Sequence, residues 1–565
     1  MHTRNSLILT ALLVLLAAPV RAGEQKSDAM LEALETEVSR AMSALGKTDS
    51  PPYFLAVEVT EAQAIHIIGE EGGLQGYSPV KYRWVDVDIR LGSPELDSTH
   101  ALRAGFEGGM RGGRNIPLGD DPLVLRQQIW REIESRYMKA KDRWAQVESE
   151  RQVLVAENAA EDLAKVEPAK DIGPAAELGV DRARWEDEIR KASAELAKSE
   201  IVFDGSVQLM ADTVNRWFVS SEGTRLRHAE TRFRLGAFVD TMAADGEKLT
   251  LHRFYEGASQ DELPDTETLC RSVRELEQQL QALRAAPPQE PYSGPAILSG
   301  KAAAVFFHEI LGHRLEGHRL KQITDAQTFR DMLGKPILPE FLTVTDEPDR
   351  ARYGDSFLFG HYRYDNQGVP GEKVVLVKDG VLERFLESRS TERKGGRSNG
   401  HGRRQYGRDA VTRQGNLIIS ASRSVPDAEL RKTFRAQLAK QGLDYGLYID
   451  EIHGGFTFTG RTLPNAFDVK AVVSYRVFAD GRPDELVRGV DLIGTPLVTF
   501  SRIVATSDQP QIFNGFCGAE SGSVPVSAVS PALLVSQIET QRKFKGQQMP
   551  PLLPPPGSAS EEVAP

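Results

Sequence analysis

The stretch from Ala302 to His318, AAAVFFHEILGHRLEGH, ties an apolar run to His308, Glu309, Gly312, His313, Glu316 and His318. It reads as a helix whose Phe307 and Leu311 pack in a core, so any fold that forms must carry these polar side chains with it. Two imidazoles and a carboxylate this close are the ingredients of a zinc hydrolase. Neutral nitrogens bind the ion, and a glutamate beside the first histidine can take a proton from the water it activates. The spacing is not that of H-E-x-x-H, whose histidines sit four apart on one helix face. Here they are five apart, which at 3.6 residues per turn leaves them about 140° apart around an ideal helix. One ion is within reach of both only if the helix bulges to a local i→i+5 pattern or breaks near Gly312. The alternative is two unrelated helix histidines. Histidine is scarce, however, at 11 in 565 residues, and three of those fall in this segment, which makes chance the minority reading.

The first 22 residues read as a secretory leader. A short basic start at Arg4 precedes the apolar run LILTALLVLLAAPV, and Val20-Arg21-Ala22 fits a small-residue cleavage rule. The run is too short for a convincing transmembrane span, and no other long apolar stretch follows. The expectation is an exported protein without a stable membrane span after cleavage, in the periplasm or, alternatively, outside the cell. A net charge of −11 argues against a general nucleic-acid-binding role.

Periodicity divides the rest of the chain. Ala29–Leu45 is helix-periodic, Tyr53–Ile68 is strand-like, and Trp84–Leu91 alternates apolar and polar residues as a half-buried strand does. The glycine-rich Gly105–Gly113 lacks the Lys-Ser/Thr of a phosphate loop and reads as turn chemistry. Residues 123–198 are long, charged and helical, broken at Pro168–Gly179, and suggest a helical hairpin or arm that either packs on the core or supports a partner contact. Strand signals return at Ile201–Met210, Trp217–Ser220 and Thr231–Val239, before a helix at Thr266–Arg284 and a proline-rich linker. Beyond the motif, Thr343–Thr345, Val374–Val377, Leu382–Leu386, Asn416–Ile419, Leu447–Ile452 and Ala471–Ala479 read as strands, and Asp427–Gln441 as a helix. Phe513–Gly518 and His453–Gly455 read as glycine-bearing turns. The fold class expected is α+β: an N-terminal α+β domain (23–115), a middle domain (116–265) with the helical insertion, and a β-rich C-terminal domain (266–548) carrying the motif helix. A disordered tail (549–565) ends the chain.

A catalytic zinc keeps three protein ligands and one open position, so a third is needed. The residues offer two candidates: His318, five after His313, and Cys517 on its glycine-flanked segment. Cys270 and Cys517 are the two cysteines, and in an exported chain the default for such a pair is a disulfide, which competes with a metal role. Glu316 fits either an acceptor orienting a ligand histidine or an exposed helix-end carboxylate. Arg403 and Arg404, in a basic loop read as flexible, and His453 are the candidates for holding a substrate.

His308-Glu309-x-x-Gly312-His313-x-x-Glu316-Gly317 resembles the H-E-x-x-G-H-x-x-E-G signature of the TldD/PmbA metallopeptidases. Asp365-x-x-Gly368-x-Pro370-Gly371 is similar to that family's D-x-x-G-x-P-G turn, and Gly400–Arg404 to its Arg-Arg loop. Cys517-Gly518-x-x-x-Gly522-x-x-Pro525-Val526 is similar to its C-terminal C-G block, with the glycine displaced by one. These matches span roughly residues 295–535 in the family's order. The resemblance implies one Zn²⁺ per chain on His308, His313 and Cys517, with Glu309 as general base in peptide-bond hydrolysis. It also implies an unstructured peptide or unfolded polypeptide as substrate, added as an extended strand. A homodimer, or pairing with a family-related second subunit, is the implied assembly. The competing function is a non-catalytic metal-binding partner or scaffold subunit of such a complex.

Overall fold

The computed structural model describes residues 28–102, 112–151, 160–321, 328–457, 467–494 and 496–542. The expected leader and tail lie outside these residues, as does most of Gly105–Gly113.

Alternating strands build the N-terminal layer. Pro52–Glu70 lies between Gly73–Ser93 and Asp204–Ser220, all antiparallel, followed by Arg225–Met242 and Lys248–Gly257. Val57 stands opposite Val87 and Val219, and Val59 opposite Val85 and Trp217, so one apolar face runs across the strands. Four helices cover that face. Ala29–Leu45 and Pro122–Arg151 lie over one end through Leu31, Leu34, Ile129 and Ile133. Arg182–Ser193 and Thr266–Ala285 lie over the other through Trp185, Ile189, Leu276 and Leu280.

This arrangement corrects two expectations. Residues 23–115 and 116–265 are not separate domains, because strands from both make one sheet. Of the two placements open to the helices of 123–198, packing on the core is the one found: each buries its apolar stripe against a different end of the sheet. Helix Thr266–Ala285, assigned to the C-terminal domain, also packs on this sheet, so the junction falls in the linker after it. Strand partners far apart in sequence are the reason, since periodicity reports a face and not its partner.

In the C-terminal half, Tyr292–Leu298 leads into the motif helix Gly300–Ile310. One sheet orders Val381–Leu382, Val374–Lys378, Leu342–Asp346, Asn416–Ala421, Gly522–Ser530 and Gln511–Ala519. In the other, Tyr445–Thr457 pairs with both Tyr292–Leu298 and Phe467–Phe478. A ring of five strands therefore closes through Leu533–Arg542 and Val490–Gly494. The motif helix packs against strands of both sheets. Only Lys301 and Glu309 of it escape full burial, as suits a helix that is apolar on nearly every side. Phe306 and Phe307 close around Phe500, Phe307 stacking on it at 5.6 Å between ring centroids. Each such buried ring contributes about 1.5–3 kcal/mol. The helix starts at Ser299, whose hydroxyl accepts the Ala302 amide at 3.1 Å.

Helices expected at Ala29–Leu45 and Asp427–Gln441 are present with those bounds. The two glycine-bearing turns are instead strands. Phe513–Gly518 lies within Gln511–Ala519 and pairs along its whole length with Gly522–Ser530. His453–Gly455 lies within Tyr445–Thr457. Glycine weakens a strand but does not forbid it where a ladder forms.

Candidate metal centre

The five-residue spacing is resolved by a break. The α-helix ends at Ile310, and a tight 3₁₀ turn spans Gly312–Leu315, swinging His313 back toward His308. A Cβ at Gly312 would lie 1.8 Å from Oε1 of Gln414, whose buried side chain occupies that space. The two imidazole rings meet nearly edge to face at 5.0 Å between centroids. Strand Gln511–Ala519 brings in Cys517, whose Sγ lies 3.2 Å from Nε2 of His313. One donor atom from each of His308, His313 and Cys517 lies within 4.8 Å of the other two, and all three residues are buried.

The surrounding charges prepare these groups. Glu316, fully buried, receives Nδ1 of His313 at 3.2 Å and Nε of Arg319 at 2.9 Å. This is the orienting acceptor and not the exposed helix-end carboxylate. Burial by itself raises the Cys517 thiol, but His313 and His308 outweigh it and hold the thiol well below its ordinary value. Burial by itself lowers His313, but Glu316 and Cys517 outweigh it and push the imidazole up to about 10. An ion taking both donors must therefore displace a proton from His313. The set fits zinc. Two imidazole nitrogens and a thiolate are ligand types of catalytic zinc, and a carboxylate behind a ligand histidine fixes its tautomer. Nδ1 of His308 is buried without a hydrogen-bond partner.

Glu309 sits half-buried on the last helical turn, and its carbonyl accepts Nη1 of Arg314 at 3.2 Å. His318, the rival third ligand, pairs through Nε2 with Glu520 instead. Cys270 and Cys517 are both free thiols, one in the helix Thr266–Ala285 and the other in the site.

Arg403 and Arg404 do not present themselves to a substrate. Arg403 is buried, donates to the carbonyls of Gln414 and Pro525, and stacks on Tyr362 at 4.6 Å. Arg404 crosses to the N-terminal sheet, 3.2 Å from Glu58 and 3.3 Å from Asp86, both carboxylates buried. A basic loop looks solvated in sequence, but here Arg404 is matched by carboxylates more than 300 residues away and Arg403 by backbone carbonyls. Burial raises Asp86 to about 6 despite Arg404 beside it. Arg404→Met should cost on the order of 3 kcal/mol, the low end for a broken buried pair, because the stranded Asp86 can protonate. A denaturant melt measures that loss; a melt unchanged from wild type would contradict it. The side chain of His453 lies outside the described residues.

Sequence reasoning missed Arg413 and Gln414. Arg413 donates to the Cys517 carbonyl at 2.7 Å and to Ser521 Oγ at 3.0 Å, and lies 3.6 Å from Glu316. Gln414 donates to the His308 carbonyl at 3.3 Å. Together they join the helix, the turn and the cysteine strand. The arginine-dense run from Arg403 to Arg413 was the one available signal.

Residues 291–542 match the family described as PmbA/TldA metallopeptidase C-terminal domain. A metalloprotease of Methanothermobacter thermautotrophicus is 30% identical over 319 residues, covering 56% of this chain and 64% of that protein. A zinc metalloprotease TldD homolog of Saccharolobus solfataricus is 26% identical over 247 residues, covering 43% and 51% respectively. The match thus spans less than two thirds of either relative's length. The solved structure of TldE from Thermococcus kodakarensis shares the fold, with a TM-score of 0.60 over 90% of this chain and all of that one, at 14% identity. Residues 291–542 are thus similar to the TldD/PmbA metallopeptidase domain, and the fold over 90% of the chain is that of the solved TldE.

Proposed function

We propose that this protein is an exported zinc peptidase that hydrolyses peptide bonds in peptides or unfolded polypeptide segments, with His308, His313 and Cys517 holding one zinc. The carrying observation is the convergence of these three donors beside Glu309 on a broken helix. The names of the relatives, metalloprotease and zinc metalloprotease, point the same way. Bound there, zinc supplies Lewis acidity toward a carbonyl and lowers the pKa of water toward about 7.

The chain's own groups do the rest. Glu309 accepts a proton from the attacking water and returns it to the leaving amine, for which its half-exposed position leaves access. Glu316 keeps the His313 ring turned toward Cys517. Arg413 ties the Cys517 carbonyl to the same scaffold. No helix among the described residues is long and apolar enough to cross a membrane, which is compatible with a leader that is cleaved and a protein released into the periplasm. A homodimer, or pairing with a family-related second subunit, is the assembly that goes with this reading.

The test is zinc content and hydrolysis of an unstructured peptide by the purified protein, before and after a chelator. The expected result is about one zinc per chain, as a mononuclear site requires, with hydrolysis lost on chelation and restored by zinc. Bound zinc without hydrolysis of any unstructured peptide would favour the metal-binding scaffold subunit instead.

A further inference from the structure

The strand that bears Cys517 is oddly placed for a ligand. Gln511–Ala519 pairs only with Gly522–Ser530 and stands at the end of its sheet among the described residues. An edge strand has half the ladder of a central one, yet a working metal site needs its donors held to about 0.5 Å. Part of what holds this strand from its other side comes from the N-terminal half of the chain, outside the residues that match the family domain.

Three residues before Cys517, Asn514 is tied at every point of its amide. Nδ2 donates to Glu256 Oε2 at 2.7 Å and to the Phe357 carbonyl at 2.9 Å. Oδ1 accepts the Phe359 amide at 3.1 Å and Ser527 Oγ at 2.6 Å. That fills both donors and both acceptor sites of a carboxamide, a pattern neither Asp nor Leu reproduces. The backbone carbonyl of Asn514 is taken as well, by Nη2 of Arg234 at 3.1 Å.

Arg234 and Glu256 are cross-strand partners in the N-terminal sheet, and Nε of Arg234 lies 2.8 Å from Glu256 Oε1. The guanidinium lies 4.6 Å from the ring centroid of Phe254 and 4.7 Å from that of Phe359, which fixes its plane. Two charged groups on one rigid sheet therefore grip one residue of the cysteine strand, about 10 Å along it from the sulfur.

We propose that Arg234, Glu256 and Asn514 form a positioning clamp through which the N-terminal sheet sets the place of the Cys517 thiolate against His308 and His313. The proposal rests on the ligand reading above. None of the three touches the reacting atoms. The role is to keep the edge strand, and the sulfur on it, at a fixed distance from the histidines of the broken helix.

The test uses the full protein as wild type, Arg234→Met and Arg234→Lys, loaded with zinc or cobalt. Methionine keeps an apolar stem between Phe254 and Phe359 while removing the donor to Asn514. In Arg234→Met the zinc dissociation constant should rise about 10-fold or more, the range for losing a group that orients a ligand. The thiolate-to-cobalt charge-transfer band should weaken or shift, and kcat should fall with KM unchanged, while Tm stays within a few degrees of wild type. Arg234→Lys, which still offers a donor, should recover part of each. Wild-type affinity and cobalt spectrum in Arg234→Met would overturn the clamp while leaving the peptidase reading intact. So would a loss of cooperative melting in both variants without a change specific to the sulfur band. A wild-type protein with no thiolate band at all would overturn the ligand reading, and the clamp with it.

Discussion

Glu309→Ala should bind zinc as wild type does and hydrolyse unstructured peptides about 10²–10⁴-fold more slowly, the usual worth of a positioned general base. The residue is placed for this separation of effects. It is half-buried at the end of Gly300–Ile310, beside His308 but outside the group of donors that converge with Cys517. Alanine favours helix, so the turn that delivers His308 should persist. Because the lost interaction belongs to proton transfer, the fall should lie in kcat and kcat/KM together. Glu309→Gln, which keeps the shape without the basicity, should be about as slow as Glu309→Ala. Single-turnover hydrolysis beside metal analysis of the same samples measures both. If the alanine variant cleaves at the wild-type rate, the base lies elsewhere. If it loses zinc, Glu309 supports the site and the proton role is unsupported.

How much of this was legible in the chain differs from residue to residue. His308, Glu309 and His313 announced themselves by type and proximity, and their awkward spacing pointed to a break near Gly312, where the helix does end. What occupies the space at Gly312 was not legible: Gln414 fills the place of a side chain there, from a segment 102 residues on. The α+β class and the helices Ala29–Leu45 and Asp427–Gln441 follow from local periodicity. The single N-terminal sheet does not, since Pro52–Glu70 finds Asp204–Ser220 across a long helical insertion. Arg403 and Arg404 failed for the same reason. Their partners Pro525, Glu58 and Asp86 are distant in sequence, and without those partners a run of arginines and glycines reads as a solvated loop. Glu316 could be read either way, and the buried guanidiniums of Arg319 and Arg413 around it decide the matter.

Cys517→Ser should lose zinc, and with it all hydrolysis, whereas His318→Ala should keep both. A serine hydroxyl is a far weaker acid than a thiol, and the two histidines hold the Cys517 thiol well below its ordinary value. The thiolate is the species a metal takes. Removing a direct ligand should therefore weaken zinc beyond the roughly 10–100-fold that loss of an outer partner costs. His318 is the informative control, since it is the same residue type as the ligands and lies five residues from His313. Its imidazole is engaged by Glu520 and stands apart from the three converging donors. Dialysis against a competing chelator, followed by metal analysis, separates the two variants. The cysteine change also bears on the disulfide alternative. Cys270 is a free thiol on the helix Thr266–Ala285 and Cys517 a free thiol facing His313, so thiol titration of the unfolded wild-type protein should find two reactive groups. Zinc retained by Cys517→Ser and released by His318→Ala would reverse the ligand assignment and place the sulfur in the scaffold. Zinc retained by both would mean that a group other than Cys517 or His318 completes the three protein ligands a catalytic ion keeps.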